Sequence, residues 1–223
     1  MRTKKWVKSF FKKEADIVRN GLELSEFPFT PRVALASSHV KLLSTGIFFV
    51  HRRYEDIIRA VKLLQEKGVN VVLSIVGNYS GEHHRYYEML NSLVDELGLQ
   101  GSIFFLGNIS DSELRRQYKE NDIYISANHL QSWGLAPFEA IASGMPAIIS
   151  NSTGAAEVLK NREHALLISP KSPEKIMEAV IELVSHPDLY MRLSTEARRF
   201  VEENLTWKNT AQAFAKVFQD VTV

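Results

Sequence analysis

The run Val71-Val-Leu-Ser-Ile-Val76, rich in β-branched residues and closed at once by Gly77, constrains the fold of this chain more than any other segment. A strand that is apolar nearly throughout, rather than at alternate positions, belongs in a sheet covered on both faces. Covered sheets of this kind are parallel and need helical crossovers, and the flanking sequence supplies them. Upstream, Ile57, Ile58, Val61 and Leu64 recur at helical spacing before Gly68. Downstream, a polar helix from about Glu82 to Leu97 stops at Gly98.

The same rhythm predicts six strands, at 46–50, 71–76, 103–106, 123–127, 147–150 and 165–168. Between them, Ser110 and Glu113 have the spacing of a capping box that opens a helix toward Glu120. Further helices are expected from Gly134 to Ser143 and near Thr153 to Leu159. The chain ends in helices only. Ser172 and Pro173 stand as N-cap and first residue of one, Asp188 opens another, and Thr206 caps a last amphipathic helix with Phe214, Val217 and Phe218. The fold class is therefore α/β, a parallel six-stranded sheet with helices on both faces and a C-terminal helical extension. The expected divisions are an opening helix and linker over 1–31, the α/β domain over 32–205, and a final helix over 206–223.

Composition narrows the function. Lys and Arg (27) nearly balance Asp and Glu (26), so no overall field draws the chain to nucleic acid. The absence of cysteine removes disulfides, thiolate metal sites and a thiol nucleophile, and is compatible with a cytoplasmic setting. No apolar run approaches the ~20 residues that span a bilayer. The opening segment places Trp6, Val7, Phe10 and Phe11 on one helical face among Lys4, Lys5, Lys8, Lys12 and Lys13. Two readings stand for it: a peripheral membrane contact, or an amphipathic helix packed on the domain with a solvated basic face.

In an open parallel sheet, ligands bind where the strands' carboxyl ends meet loops and helix N-termini. His51, Arg52 and Arg53 lie in one such loop, where a guanidinium could take phosphate or, alternatively, pair with Glu55 or Asp56 on the surface. Gly134 opens a helix whose free N–H groups favour an anion, unless it is an ordinary turn glycine. Glu139 sits among Phe138, Ala140, Ile141 and Ala142, and a carboxylate in such surroundings needs a partner. That partner is a ribose diol, or else an internal amide or arginine. His83 and His84 are adjacent and face different sides, which excludes a shared metal; no metal site is expected. His129 is a possible lining residue of the next loop.

From Asn20 onward these residues resemble the donor-binding, C-terminal domain of the retaining glycosyltransferases of group 1, which have two Rossmann-like domains in the GT-B arrangement. Asn20, Gly21, Leu22 and Glu23, with Phe27, are similar to the family's interdomain linker. Arg52 falls where the family places a phosphate-binding lysine, and Ile47 where it often has an arginine. Phe105 to Gly107, followed by Glu113 and Leu114, look like the loop that recognises the base. The segment QSWGLAPFEAIASGMP from Gln131 to Pro146, with Thr153, Gly154 and Glu157, resembles the signature of two glutamates separated by seven residues. Glu139 matches the second, the ribose ligand, whereas the first is the neutral Gln131.

The resemblance implies a metal-independent, retaining hexosyltransferase of the polysaccharide-biosynthesis type, which carries a glycosyl group from a nucleoside diphosphate sugar, a UDP- or GDP-sugar, to a hydroxyl acceptor. No cofactor beyond that donor is expected. It assigns catalysis to Arg52, Gln131 and Glu139, and donor binding to these and to Arg53, Gly107, Asn108, Ile109, Trp133, Gly134 and Leu135. It also implies that the acceptor domain lies outside this chain, with the basic opening helix in the place of that domain's last helix. The alternatives are a sugar-nucleotide epimerase or phosphorylase of related architecture, and a non-catalytic nucleotide-sugar-binding or scaffold subunit.

Overall fold

A computed structural model describes residues 2–12, 14–35 and 39–221. After helix α1 (Arg2–Phe11) the chain alternates strand and helix: β1 (Val40–Thr45), α2 (Tyr54–Glu66), β2 (Val71–Val76), α3 (His84–Glu96), β3 (Ile103–Gly107), α4 (Asp111–Glu120), β4 (Ile123–Ser126), α5 (Ala136–Ala142), β5 (Ala147–Ser150) and β6 (Leu166–Ile168). Helices α6 (Pro173–Ser185), α7 (Pro187–Asn204) and α8 (Trp207–Val221) follow. The six strands form one sheet in the order β3-β2-β1-β4-β5-β6, every pair parallel. Neighbouring residues of β1 feed opposite sides of it. Leu42 packs with Ile57, Val61, Leu90 and Val180 of α2, α3 and α6, while Leu43 packs with Tyr118, Phe138 and Ala197 of α4, α5 and α7.

The first strand is not where the apolar pattern put it. Residues 46–50 are more apolar than Val40–Thr45, yet Ile47, Phe49 and Val50 are 42%, 40% and 63% exposed, and the chain turns there into a short 3-10 helix over Val50–Arg52. The true strand hides its character in polar residues that bond across the sheet. Ser44 Oγ donates to the Ile125 carbonyl at 2.7 Å, and Thr45 Oγ1 shares a hydrogen with the Tyr124 hydroxyl at 3.0 Å. The helix expected over 153–159 is likewise only a 3-10 turn, Ala155–Glu157.

Capping follows the sequence in part. Ser110 Oγ accepts from the Glu113 N–H, but the Glu113 carboxylate turns to Arg116 and Gln117 instead of completing the box. Thr206 and Asn209 cap α8 reciprocally: the Thr206 Oγ1 accepts from the Asn209 N–H, and Asn209 Oδ1 accepts from the Thr206 N–H. The segment before β1 is tied to this corner, where the Leu22 N–H donates to the Leu205 carbonyl at 2.8 Å and Thr210 Oγ1 to the Arg19 carbonyl at 2.8 Å. On α1, Phe10 and Phe11 are 71% and 60% exposed; Lys13 and the side chains of Lys4, Lys5 and Trp6 lie outside what is described. Among the described residues no helix is long and apolar enough to cross a membrane.

The ends of the first three strands come together through glycine. The Gly77 N–H donates to the Gly107 carbonyl at 2.9 Å, and a Cβ on Gly77 would lie 1.9 Å from the Gly46 carbonyl oxygen. No side chain fits there without moving backbone. We expect Gly77→Ala to cost about 1–3 kcal/mol, as overpacking does, and thus to lower the melting temperature by roughly 2–4 °C per kcal/mol at this chain length. Thermal denaturation followed by circular dichroism checks it.

Candidate functional site

At the sheet's centre β1 connects outward to β2 on one side while β4 continues on the other. This is a topological switch point, the place where crevices open in such sheets. Beyond Gly46 the 3-10 turn sends Arg52 back across the end of β1. The Cβ that Gly46 lacks would sit 2.6 Å from the Arg52 Cζ, so the guanidinium occupies space that glycine leaves open. Its Nε is buried and meets no hydrogen-bond acceptor. Below lie two buried phenols. Tyr54 donates to the Gly46 carbonyl at 2.7 Å, and burial pushes Tyr124 up to about 12, with its Thr45 bond and the Arg52 charge opposing the rise. Burial, with Arg52 second, lowers the His51 pKa.

Arg53 goes elsewhere. It adopts a left-handed conformation (φ 58°) before α2, and its guanidinium grips Asp56 through two hydrogen bonds of 2.9 Å, with Glu55 at 2.6 Å. Its charge is thereby neutralised on α2. Of the two alternatives read from the sequence, the structure shows Arg53 in the ion pair with Asp56 and Glu55, while Arg52 lies over Gly46.

The loop after β4 is fastened to its neighbours before it reaches α5. The His129 N–H donates to the His51 carbonyl at 2.7 Å, the Gly154 N–H to the Gln131 carbonyl at 2.9 Å, and Ser152 Oγ to the Asn128 carbonyl at 3.0 Å. The Gln131 side chain folds over Gly134, whose φ is +88°. A Cβ there would be 2.7 Å from Gln131 Nε2. Leu135 provides the carbonyl that accepts from the Phe138 and Glu139 N–H groups at 2.8 and 3.0 Å, which starts α5. Trp133 turns inward, 4.8 Å from the Phe138 ring centroid and beneath the Arg19 guanidinium at 5.7 Å, with its Nε1 buried and unpartnered. Its ring packs against the α4–α5 core and lines a cavity of about 220 Å³ with Arg19, Asn20, Ser132 and Glu157.

Glu139 is half-buried, and its partner is one that the sequence did not reveal. Tyr118, on α4, donates to Glu139 Oε2 at 2.8 Å, while no described residue donates to Oε1. Burial raises the carboxyl above its ordinary value, the Tyr118 bond opposes the rise, and the nearby Asp111 charge adds to it. At the end of β3, Gly107 is left-handed (φ 67°), Asn108 is exposed and Ile109 packs against the α4–α5 core. The Tyr79 ring lies against Gly107, 3.3 Å from where a Cβ would be. Tyr79, Tyr118 and Asn128 all escaped the sequence reading, since each acts through a neighbour distant in sequence or through an amide orientation that no pattern records.

Comparison with known proteins places the chain. The profile of the family described as glycosyl transferases group 1 matches residues 31–200. The chain belongs to that family. The D-inositol 3-phosphate glycosyltransferase of Rhodococcus jostii (strain RHA1) is 27% identical over 216 residues, which cover 93% of this chain and 48% of that protein. Mannosylfructose-phosphate synthase of Agrobacterium fabrum is 24% identical, over 82% of this chain and 41% of that protein. The α/β, Rossmann-like sheet matches GT-B glycosyltransferase structures. A Rickettsia africae glycosyltransferase superposes with a TM-score of 0.85 at 19% identity, over 99% of this chain and 61% of that one. The Anabaena protein HepE, solved with UDP, superposes with a TM-score of 0.81 at 14% identity, over 92% and 57%. The chain spans about half the length of the curated relatives it matches.

The Glu139 geometry has a measurable consequence. A carboxyl whose folded pKa lies above its unfolded value favours the folded state fully below the unfolded pKa, near 4.3 for Glu, and that contribution is lost as pH rises through the raised folded value. At neutral pH Glu139 is therefore a destabilising charge. Glu139→Gln, which still accepts from Tyr118, is expected to raise the melting temperature at pH 7 and to lose that advantage below the carboxylate range. Thermal scans of both proteins from pH 4 to 8 check this.

Proposed function

We propose that this chain holds the nucleoside diphosphate sugar donor of a glycosyl transfer, and that a hydroxyl acceptor is presented by a second domain across the crevice. One observation carries the reading. Three polar groups with hydrogen-bonding capacity that no described residue meets lie on the segments that follow the central strands β1 and β4: the Arg52 guanidinium over Gly46, the Gln131 amide over Gly134, and the Glu139 carboxylate on α5. A ligand that supplies phosphate to the half-buried Arg52 and a diol to the half-buried Glu139 would meet the hydrogen-bonding capacity that Arg52 Nε and Glu139 Oε1 leave unused.

In this reading the departing diphosphate gathers negative charge as the glycosidic bond to phosphate breaks. Arg52 and the Gln131 Nε2 group stabilise that charge by fixed electrostatics, a role that needs no metal. Glu139 Oε1, free of protein donors, accepts from the ribose hydroxyls. Gly107, Asn108 and Ile109 present backbone groups to the base at the end of β3, and Leu135 and Gly134 bring the start of α5 close to the phosphates. Arg53 and Trp133, engaged with Asp56 and Phe138, are set aside. The structures of HepE with UDP and with UDP-glucose support a UDP-sugar over a GDP-sugar as the donor class. Retention of configuration rests on the family resemblance, and the neutral Gln131 is what a binding subunit without turnover would also carry.

Isothermal titration calorimetry with UDP, GDP and ADP, each with a divalent cation and again with EDTA, tests the reading on the chain as it stands. At least one of these nucleotides should bind with an affinity indifferent to chelation. Arg52→Ala should weaken that binding about ten- to a hundredfold, the equivalent of a charge-assisted hydrogen bond of roughly 1.5–3 kcal/mol. Arg53→Ala should change it less than about twofold. Equal losses for the two arginines would contradict the assignment, and a folded chain that binds none of the three would end it.

A further inference from the structure

Gln131 holds a position where a side-chain amide can present either its oxygen or its nitrogen to a ligand, and the two ends have opposite electrostatic character. Asn128 bears on which end is left for a ligand. That residue is 5% exposed, and its Nδ2 donates to Ser126 Oγ at 3.2 Å and to Gln131 Oε1. With its oxygen engaged by Asn128, the Gln131 amide lies over Gly134, and no described residue accepts from Nε2. The space for the whole amide exists because residue 134 has no side chain: a Cβ would stand 2.7 Å from Nε2, 2.8 Å from Cδ and 2.9 Å from Oε1. Asn128 is itself held from behind, its carbonyl accepting from Ser152 Oγ at 3.0 Å.

We propose that Asn128 is a positioning residue that fixes Gln131 as a hydrogen-bond donor, so that the loop after β4 presents positive polarity to a phosphate oxygen. This rests on the donor-binding reading and specifies the polarity of its phosphate subsite. Asn128 acts by engaging the Gln131 side-chain oxygen, which leaves Nε2 as the end without a protein partner, and the Ser126–Asn128–Gln131 chain ties that arrangement to the folded loop. A carboxylate at position 128 would reverse the chain. It would accept from Gln131 Nε2, bring Oε1 to the surface of the site, and set two oxygens against each other when phosphate arrives.

The test is a double-mutant cycle read by calorimetry with UDP and GDP on the 223-residue chain. Asn128→Asp is expected to lower affinity about tenfold when Gln131 is present and less than about twofold in a Gln131→Ala background. The loss should diminish, relative to the unsubstituted chain at the same pH, as the introduced carboxyl is protonated. Should a buried aspartate prevent folding, Asn128→Leu frees the amide to rotate, and a loss of about threefold confined to the Gln131 background is expected. A merely structural role would produce equal losses in both backgrounds and no pH recovery, and that result would overturn the assignment of Asn128 alone. Failure of the folded, unsubstituted chain to bind either nucleotide would overturn the donor reading beneath it.

Discussion

Strand β1 is the element on which the rest depends, and what makes it so is the pairing of its last two polar residues with β4. Ser44 and Thr45 reach across to Ile125 and Tyr124, which locks the two central strands at the point where the sheet's connections diverge. Tyr124 lies beside Tyr118, ring centroids 6.3 Å apart, and Tyr118 in turn holds Glu139. On the other side, the end of β1 passes into Gly46, over which Arg52 folds. A cation and a carboxylate from distant parts of the chain thus sit on one buried scaffold of hydroxyl groups.

That scaffold also explains what the sequence could and could not say. The runs at 71–76 and 147–150 announced themselves because strands buried on both faces are apolar nearly throughout, and α2 did so through Ile57, Ile58, Val61 and Leu64. Strand β1 was misplaced because its end is built from Ser44 and Thr45, polar residues satisfied by the next strand, while the apolar residues 47–50 belong to an exposed turn. Hydrophobic pattern reports burial only where burial is achieved by apolar groups. Residue type alone singled out Arg52, Gly134 and Glu139 as candidates, and the structure sets them in the turn after β1, at the start of α5 and on α5. The site was illegible where orientation decides, as with Arg53, which turned to Asp56, and with Asn128, which matters only through the end of the Gln131 amide that it engages.

Several polar groups of the site keep hydrogen-bonding capacity that no described residue meets. Arg52 keeps a buried Nε without an acceptor, Trp133 a buried Nε1, and Glu139 a carboxylate whose pKa burial has raised. Each costs on the order of 1–3 kcal/mol if left unmet. For Trp133 nothing in the structure offers compensation. On the proposed donor reading, a phosphorylated ribonucleoside would offer it to both Arg52 and Glu139 at once, and the same groups would strengthen that complex.

Hydrogen–deuterium exchange on the chain with and without a nucleoside diphosphate measures this most directly, because it locates the ligand without relying on a substitution. The account predicts new protection in three separate stretches that meet at the switch point, 46–53, 107–110 and 128–139, with α8 and the segment before β1 unchanged. Protection confined to the corner where Leu22 meets Leu205, or spread evenly over the sheet, would contradict it.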